Sequence, residues 1–321
     1  MGEILAVTSA LCFGLSEILA QRGMREASAP AGVIVALICN NITFGLLLVW
    51  QFLFHGLPSI GIAGVLFALG GGLAGNVLGR TFNYSALKRI GSARAVSLAL
   101  TQTLFAFLYS AFLLSEAPNR WSMVGIVLIV GGVLWLSREQ IKLDSSNMNE
   151  LAVNINEQAV QFGDHQSVAK KTYLSGPRFM GVILALLAGF AYSLSDLLRK
   201  LSLRVLPSAV LCSAIGGFCA LVVYSSTFCI QKRWGEISCL SRRSMLSLVL
   251  GGTVGGLAIL FLNSALSLSS IIVVNTLFNI RVLVPLFLGP ILLGKEGRVN
   301  VAVVSSTILI LAGTILIMYC K

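Results

Sequence analysis

The chain has 321 residues, 56% of them hydrophobic and only 11% charged, with a mean hydropathy of +0.90. A soluble domain carries about 25% charged residues, so composition excludes an ordinary globular protein, and it excludes a disordered chain, which would be charge-rich and poor in large aliphatics. A net charge of +11 would point to nucleic acid in a soluble protein. Here the basic residues flank apolar runs, where they face anionic lipid, so the expected partners are the bilayer and a small molecule, with no nucleic acid.

A membrane helix takes about 20 apolar residues. In chain order such runs fall near 3–22, 31–54, 60–84, 93–115, 121–137, 178–200, 207–230, 244–266, 271–293 and 300–320. The first run follows Met1-Gly2-Glu3 without a basic leader and reads as a span, not a cleaved signal. Runs eight and nine are parted mainly by Ser267, Ser269 and Ser270. One polar stretch, 141–177, links residues 1–140 to residues 178–321 and reads as a solvated tether. Seven cysteines lie mostly inside the runs, form no CxxC pair and are joined by two histidines only. No metal or other cofactor is expected.

The two halves repeat each other. At an offset of 179, Met1, Gly2, Ile4, Leu5, Ala6, Leu15, Ser16, Leu19 and Arg25 meet identical residues, and Glu17 meets Asp196. Gly71-Gly72-x-x-Gly75 meets Gly251-Gly252-x-x-Gly255 at 180, Ser85-Ala86-Leu87 meets Ser264-Ala265-Leu266 at 179, and Glu116 meets Glu296 at 180. A small loop indel would give that drift of one residue. With five runs per half, the second half enters the membrane in the opposite sense. The expected fold is all-α: a polytopic membrane protein of ten transmembrane helices arranged as two inverted five-helix repeats. Many secondary transporters share that architecture, with the substrate near the midplane between halves. Sixteen of the 23 Lys and Arg residues sit in odd-numbered loops, which by the positive-inside rule makes those loops cytoplasmic and both termini external.

Intramembrane polar groups mark the candidate site, because a charge in hydrocarbon must find a partner or a cavity. Glu17 and Asp196 are candidate proton or cation sites, or else carboxylates paired with nearby Arg25, Arg199, Arg204 or Lys200. Arg80 and Arg281 either bind an anionic group of the substrate or pair with Glu17 and Asp196. Asn76, Asn83, Tyr192 and Asn279 add hydrogen-bonding groups, and Asn76 and Arg80 share a helical face. Gly71, Gly75 and Gly79, with Gly251, Gly252, Gly255 and Gly256, let helices pack closely.

Three stretches carry a family resemblance: Phe82-Asn83-Tyr84-Ser85-Ala86-Leu87-Lys88 with Gly91-Ser92-Ala93-Arg94-Ala95; Leu113-Leu114-Ser115-Glu116; and Trp121-Ser122-Met123-Val124-Gly125 with Gly131-Gly132. Ser264-Ala265-Leu266, Leu293-Gly294-Lys295-Glu296 and Ala312-Gly313 echo them. The pattern resembles the EamA-type repeat of the drug/metabolite transporter superfamily. Glu17 with Arg25 also resembles the membrane carboxylate and following basic residue of small multidrug resistance pumps. The resemblance implies cytoplasmic termini, opposite to the loop charges. Many members carry a proline about thirteen residues before the turn glutamate; Thr103 and Leu283 stand there, and Pro285 and Pro290 lie elsewhere in run nine.

The expected function is secondary transport, without ATP, of a small polar metabolite by alternating access. Two acids and two arginines lean toward an amino acid or related zwitterion, with proton coupling through Glu17 or Asp196. The alternative is a membrane-embedded scaffold or enzyme without transport activity. The expected location is the plasma membrane, as a monomer or homodimer.

Overall fold

The computed structural model describes residues 1–56, 61–114, 124–136, 138, 177–294 and 300–319. The linker and the turn residues Glu116, Lys295 and Glu296 lie outside them. The described chain is helical: α1 (Gly2–Gly23), α2 (Ala29–His55), α3 (Ile62–Gly72), a π-helical turn (Leu73–Gly79), α4 (Arg80–Ile90), α5 (Ser92–Ala99), α6 (Gln102–Leu114) and α7 (Val124–Leu136) precede the linker. After it come α8 (Pro177–Val205), α9 (Ala209–Ile230), the short α10 (Gly235–Ser238), α11 (Arg242–Leu268), α12 (Ile271–Phe278), a 3₁₀ turn (Asn279–Val282), α13 (Leu283–Leu293) and α14 (Val301–Tyr319). Among the described residues, seven helical stretches are long and apolar enough to cross a membrane, and Val124–Leu136 and Val301–Leu316 are shorter apolar helices.

Local chemistry sets the helix ends. Ser28, Ser208 and Ser241 each accept a hydrogen bond from a first-turn amide of α2, α9 and α11, caps worth about 1 kcal/mol each. Gly91 ends α4 at φ +83°, a conformation that other residues adopt at a cost. Ser269 and Ser270 do part α11 from α12, as the sequence suggests. Two helices outrun their predicted ends: α4 continues to Ile90 and α8 to Val205.

Small residues bring the helices together. Along α1, Ser9 Oγ donates to Ala258 O at 2.6 Å and Ser16 Oγ to Gly251 O at 2.7 Å. Along α8, Ser195 Oγ donates to Gly71 O at 2.7 Å and Ser202 Oγ to Gly64 O at 2.8 Å. The Ser16 and Ser195 bonds are counterparts in the sequence repeat: each serine closes onto the first glycine of the equivalent Gly-Gly-x-x-Gly run. The glycines of that run behave alike. A Cβ on Gly72 would overlap the backbone of Gly216, and one on Gly252 would lie 2.8 Å from Cys39 Cβ and 3.0 Å from Ala36 Cα. Gly2 packs on Ser269, and Gln21, near the far end of α1, accepts from Ser92 N at 2.7 Å. At that far end Gly181, near the start of α8, packs on Ile90. Therefore α1 and α8 run in opposite directions.

One of the repeat's one-residue steps, from an offset of 180 back to 179 between Gly75 and Ser85, has a different origin from a loop indel. Ten steps separate Gly75 from Ser85, and nine separate Gly255 from Ser264. The intervening chain is helical in both halves, and α11 is uninterrupted over Arg242–Leu268. The first half absorbs its extra residue in the π turn Leu73–Gly79, so that glycines before it and Ser85-Ala86-Leu87 after it keep their faces. One residue more or less in an α-helix would otherwise turn everything beyond it by about 100°. Deleting Leu78, half-exposed in the π turn, is therefore expected to leave a folded protein with a near-wild-type melting temperature. Deleting Leu257 from α11 should prevent folding; size-exclusion chromatography with a thermal melt compares the two.

Runs four and nine are broken at equivalent places, the first without proline and the second just before Pro285, which has no amide hydrogen to give the Arg281 carbonyl. In the first half the break falls at Leu100-Thr101, where Thr101 N and Thr103 N bond to carbonyls three residues back at 3.2 and 3.1 Å. In the second it is the 3₁₀ turn Asn279–Val282.

At the basic end, loops of both halves are tied. Arg25 donates to Leu293 O at 2.7 Å and Lys88 to Ala27 O at 2.6 Å. Glu236 accepts from Ser28 Oγ at 2.5 Å and from Arg233 at 2.7 and 3.1 Å. The Arg233 bonds, then Ser28, hold Glu236 below the usual carboxylate range. A depressed pKa contributes stability above the unfolded value of about 4.3, and loses it as pH falls through the lower folded value. The pair is more than a quarter exposed on both sides, so Glu236→Gln should cost only about 0.5 kcal/mol at pH 7. That difference should vanish in melts at acidic pH.

Candidate functional site

Helices of both halves surround a buried cavity of about 20 Å³, room for roughly one water. From the first half come Phe13 on α1, Asn76 on the π turn, Arg80 at the head of α4 and Gln102 at the head of α6. From the second come Tyr192, Asp196 and Arg199 on α8, Ile259 and Leu262 on α11, Phe278 at the end of α12 and Arg281 in the 3₁₀ turn. The irregular turns and helix breaks thus deliver Asn76, Arg80, Gln102 and Arg281. Non-α backbone at membrane depth is tolerated where it is enclosed by protein or borders a cavity.

Counterparts in the repeat face each other here. Phe13 and Tyr192, 179 residues apart in the sequence, meet edge to face at 6.3 Å between centroids. Gln102 and Arg281 are likewise counterparts, and Arg281 Nη2 donates to Gln102 Oε1 at 3.2 Å. Arg281 is 1% exposed and is ringed by aromatics, its guanidinium carbon 4.6 Å from the Phe278 centroid, 5.3 Å from Phe13 and 5.8 Å from Tyr192. Desolvated cation–π contacts are worth about 2 kcal/mol, but they leave the charge in place.

Five of the predicted site residues, Asn76, Arg80, Tyr192, Asp196 and Arg281, line the cavity. The other three stand just behind it or to one side. Glu17, 1% exposed, accepts from Asn83 Nδ2 at 2.8 Å, and its strongest charged neighbours are Arg281 and then Arg80. Asn279 Nδ2 donates to Thr103 Oγ1 at 2.6 Å.

The ion pairs anticipated from sequence take another form. Among the described residues no carboxylate lies within 4.0 Å of Arg80 or Arg281. Asp196 pairs with Arg199, one turn on, at 4.0 Å, and Arg199 Nη2 reaches Asn76 Oδ1 at 3.5 Å. Lys200 instead donates to the carbonyls of Leu266 and Ser269, and Arg25 donates to Leu293 O. Arg80 Nη1, Arg281 Nε, Gln102 Nε2 and Glu17 Oε2 are buried without a hydrogen-bond partner among the described residues.

Sequence reasoning did not assign Phe13, Gln102, Arg199 and Phe278 to the site. A signal was present for two of them: the offset that pairs Glu17 with Asp196 also pairs Phe13 with Tyr192 and Gln102 with Arg281.

Residues 1–138 match the EamA-like transporter family. Twenty-four chains of solved structures match the chain. One of them, described only as a crystal structure of a protein, is 15% identical with a TM-score of 0.64, over 100% of this chain and 97% of that one; a likeness at that identity shows fold alone. No curated protein matches. The family match and the seven apolar helices make the chain an integral, multi-pass membrane protein.

Proposed function

We propose that this protein, EamA-like transporter sequence over residues 1–138, is a secondary carrier of a small polar metabolite. In this reading its ten apolar segments form two inverted five-helix repeats, residues 1–140 and 178–321, joined by the linker. The opposite course of α1 and α8 and the matched Ser16–Gly251 and Ser195–Gly71 bonds support that arrangement. The observation that carries the function is the cavity at the meeting of the halves, where three arginines, an acid and three amide or phenol groups are enclosed. A structural bundle gains little from burying so many polar groups. Transport is then alternating access, with one half rocking against the other about this site.

Glu17 is the proposed proton site. Its partner Asn83 holds one oxygen, and the other is unpartnered beside the arginines. Uptake into proteoliposomes, with and without an imposed pH gradient, tests the reading. Saturable uptake that follows the gradient is expected for the wild type, and Glu17→Gln should leave uptake without pH dependence. Retained pH dependence in that variant removes Glu17 from the role, and no saturable uptake of any metabolite by folded protein contradicts the carrier itself.

A further inference from the structure

We infer that the residues around this cavity, which in the present conformation has room for about one water, form, when the carrier opens, a seat for a small organic monoanion, its carboxylate met by Arg80 and Arg281 and its apolar body by Ile259 and Leu262, and not for a zwitterion or a neutral solute. The inference rests on the carrier reading above and deepens it.

Charge comes first. The cavity and its immediate backing hold Arg80, Arg199 and Arg281 against Glu17 and Asp196. With both acids ionised, one positive charge is left over among buried groups, and a buried charge without a counter-charge is costly. A zwitterion leaves that surplus as it is; a monoanion cancels it. The acids are also poorly placed to seat an ammonium. Asp196 already faces Arg199 at 4.0 Å, and Glu17 is bonded to Asn83 and does not line the cavity.

The unmet hydrogen bonds agree. Among the described residues, four groups at the cavity that can donate, Arg80 Nη1, Arg281 Nε, Gln102 Nε2 and Tyr192 Oη, are buried without partners, and Arg80, Arg281 and Gln102 are 4%, 1% and 0% exposed. Guanidinium groups present donors in the fork geometry that carboxylates accept.

The broken symmetry supplies the second half of the ligand. At the helix contacts the repeat keeps Ser16 with Ser195, and Gly71, Gly72 and Gly75 with Gly251, Gly252 and Gly255. In the cavity Arg80 has Ile259 as its counterpart, and Asn83 has Leu262; Ile259 and Leu262 both line the wall. The α11 side of the cavity is therefore apolar where the α4 side carries Arg80, while Phe13 and Phe278 lie against the Arg281 guanidinium. A solute with one anionic end and an apolar body satisfies both sides.

The test measures binding to purified protein in nanodiscs, at a pH where the acids are ionised, by calorimetry and thermal shift. The probes are matched triads sharing one body: a carboxylic acid, its amide and its α-amino acid, run from acetate up to 3-phenylpropionate, 3-phenylpropionamide and phenylalanine. At least one acid should bind about tenfold or more tightly than its amide and its α-amino acid. Arg281→Gln and Arg80→Gln should each weaken that acid by about 30-fold or more, and the wild-type triads decide the matter even if a variant does not fold. An α-amino acid equal to or better than its acid overturns the inference in favour of a zwitterion. Amides equal to acids, or no triad member bound, overturn it outright. Acid-selective binding without saturable flux of any solute leaves this inference standing and removes the carrier reading; saturable flux of a sugar or amino acid without acid selectivity does the reverse.

Discussion

Replacing Gly72 with alanine lowers the stability of the protein by about 3 kcal/mol, the upper part of the range for overpacked cores. The added Cβ would overlap the carbonyl oxygen and Cα of Gly216, and backbone cannot swing aside as a side chain can. The counterpart, Gly252→Ala, meets Cys39 and Ala36 and should also destabilise, by less, because the Cys39 side chain has some freedom to move. Gly45→Ala on α2 is the control: nothing lies within 4 Å of its Cβ, and alanine in an open helix position is favoured over glycine by roughly 0.5–1 kcal/mol. Melting temperatures in detergent should therefore rank Gly45→Ala at or above wild type, then Gly252→Ala, then Gly72→Ala. A Gly72→Ala protein as stable as wild type would mean that α3 and α9 do not approach as described.

Arg281→Gln has the opposite signature: transport is lost while stability is retained. Removing the side chain forfeits its cation–π contacts with Phe13, Tyr192 and Phe278, about 2 kcal/mol in a desolvated setting. It also relieves a buried charge with no carboxylate within 4.0 Å among the described residues, and the cost of such burial is several kcal/mol. The second effect is the larger, so the variant should melt at or above the wild-type temperature. Uptake should fall by about 30-fold or more, the usual result of leaving a charged ligand group unpaired in a buried site. A structural arginine would behave the other way, with the melt lowered by several kcal/mol and activity falling only in step with folded protein.

Much of the fold is legible in the sequence because hydrocarbon demands long, uncharged helices. The apolar runs, the serine break between α11 and α12 and the repeat all follow from residue types alone. What the runs do not reveal is where a helix departs from α geometry. The π turn Leu73–Gly79 leaves only a one-residue drift in the alignment, which a loop would also produce. The break at Leu100-Thr101 has no proline to announce it, whereas Pro285 follows the one at Asn279–Val282 and leaves the Arg281 carbonyl without an amide partner four residues on. Helix ends at Ile90 and Val205 run past the apolar runs, because Lys88, Arg89 and Arg204 have long stems that suit a helix end as well as a loop.

Of the site, the intramembrane charges are legible because each is expensive, and the cavity gathers Arg80, Asp196 and Arg281. Their pairing is not legible. Spacing along one helix shows that Arg199 can reach Asp196, but only the packing of separate helices sets Glu17 against Asn83 and Arg281 against Gln102. Aromatic residues such as Phe13 and Phe278 carry no signal of their own in a chain full of apolar side chains. They become visible as site residues once the repeat is applied position by position.

Alternating access requires that the cavity between the two halves be reached from each side of the membrane in turn. Ile259 lines it, so the measurement is modification of Ile259→Cys by a membrane-impermeant maleimide. The protein is otherwise freed of reactive cysteines and reconstituted in one orientation, and the reagent is applied from either face. The account predicts labelling from both faces, slowed by bound substrate, with conditions that favour one face disfavouring the other. Labelling from one face alone, or from neither while the protein is folded and active, would contradict it.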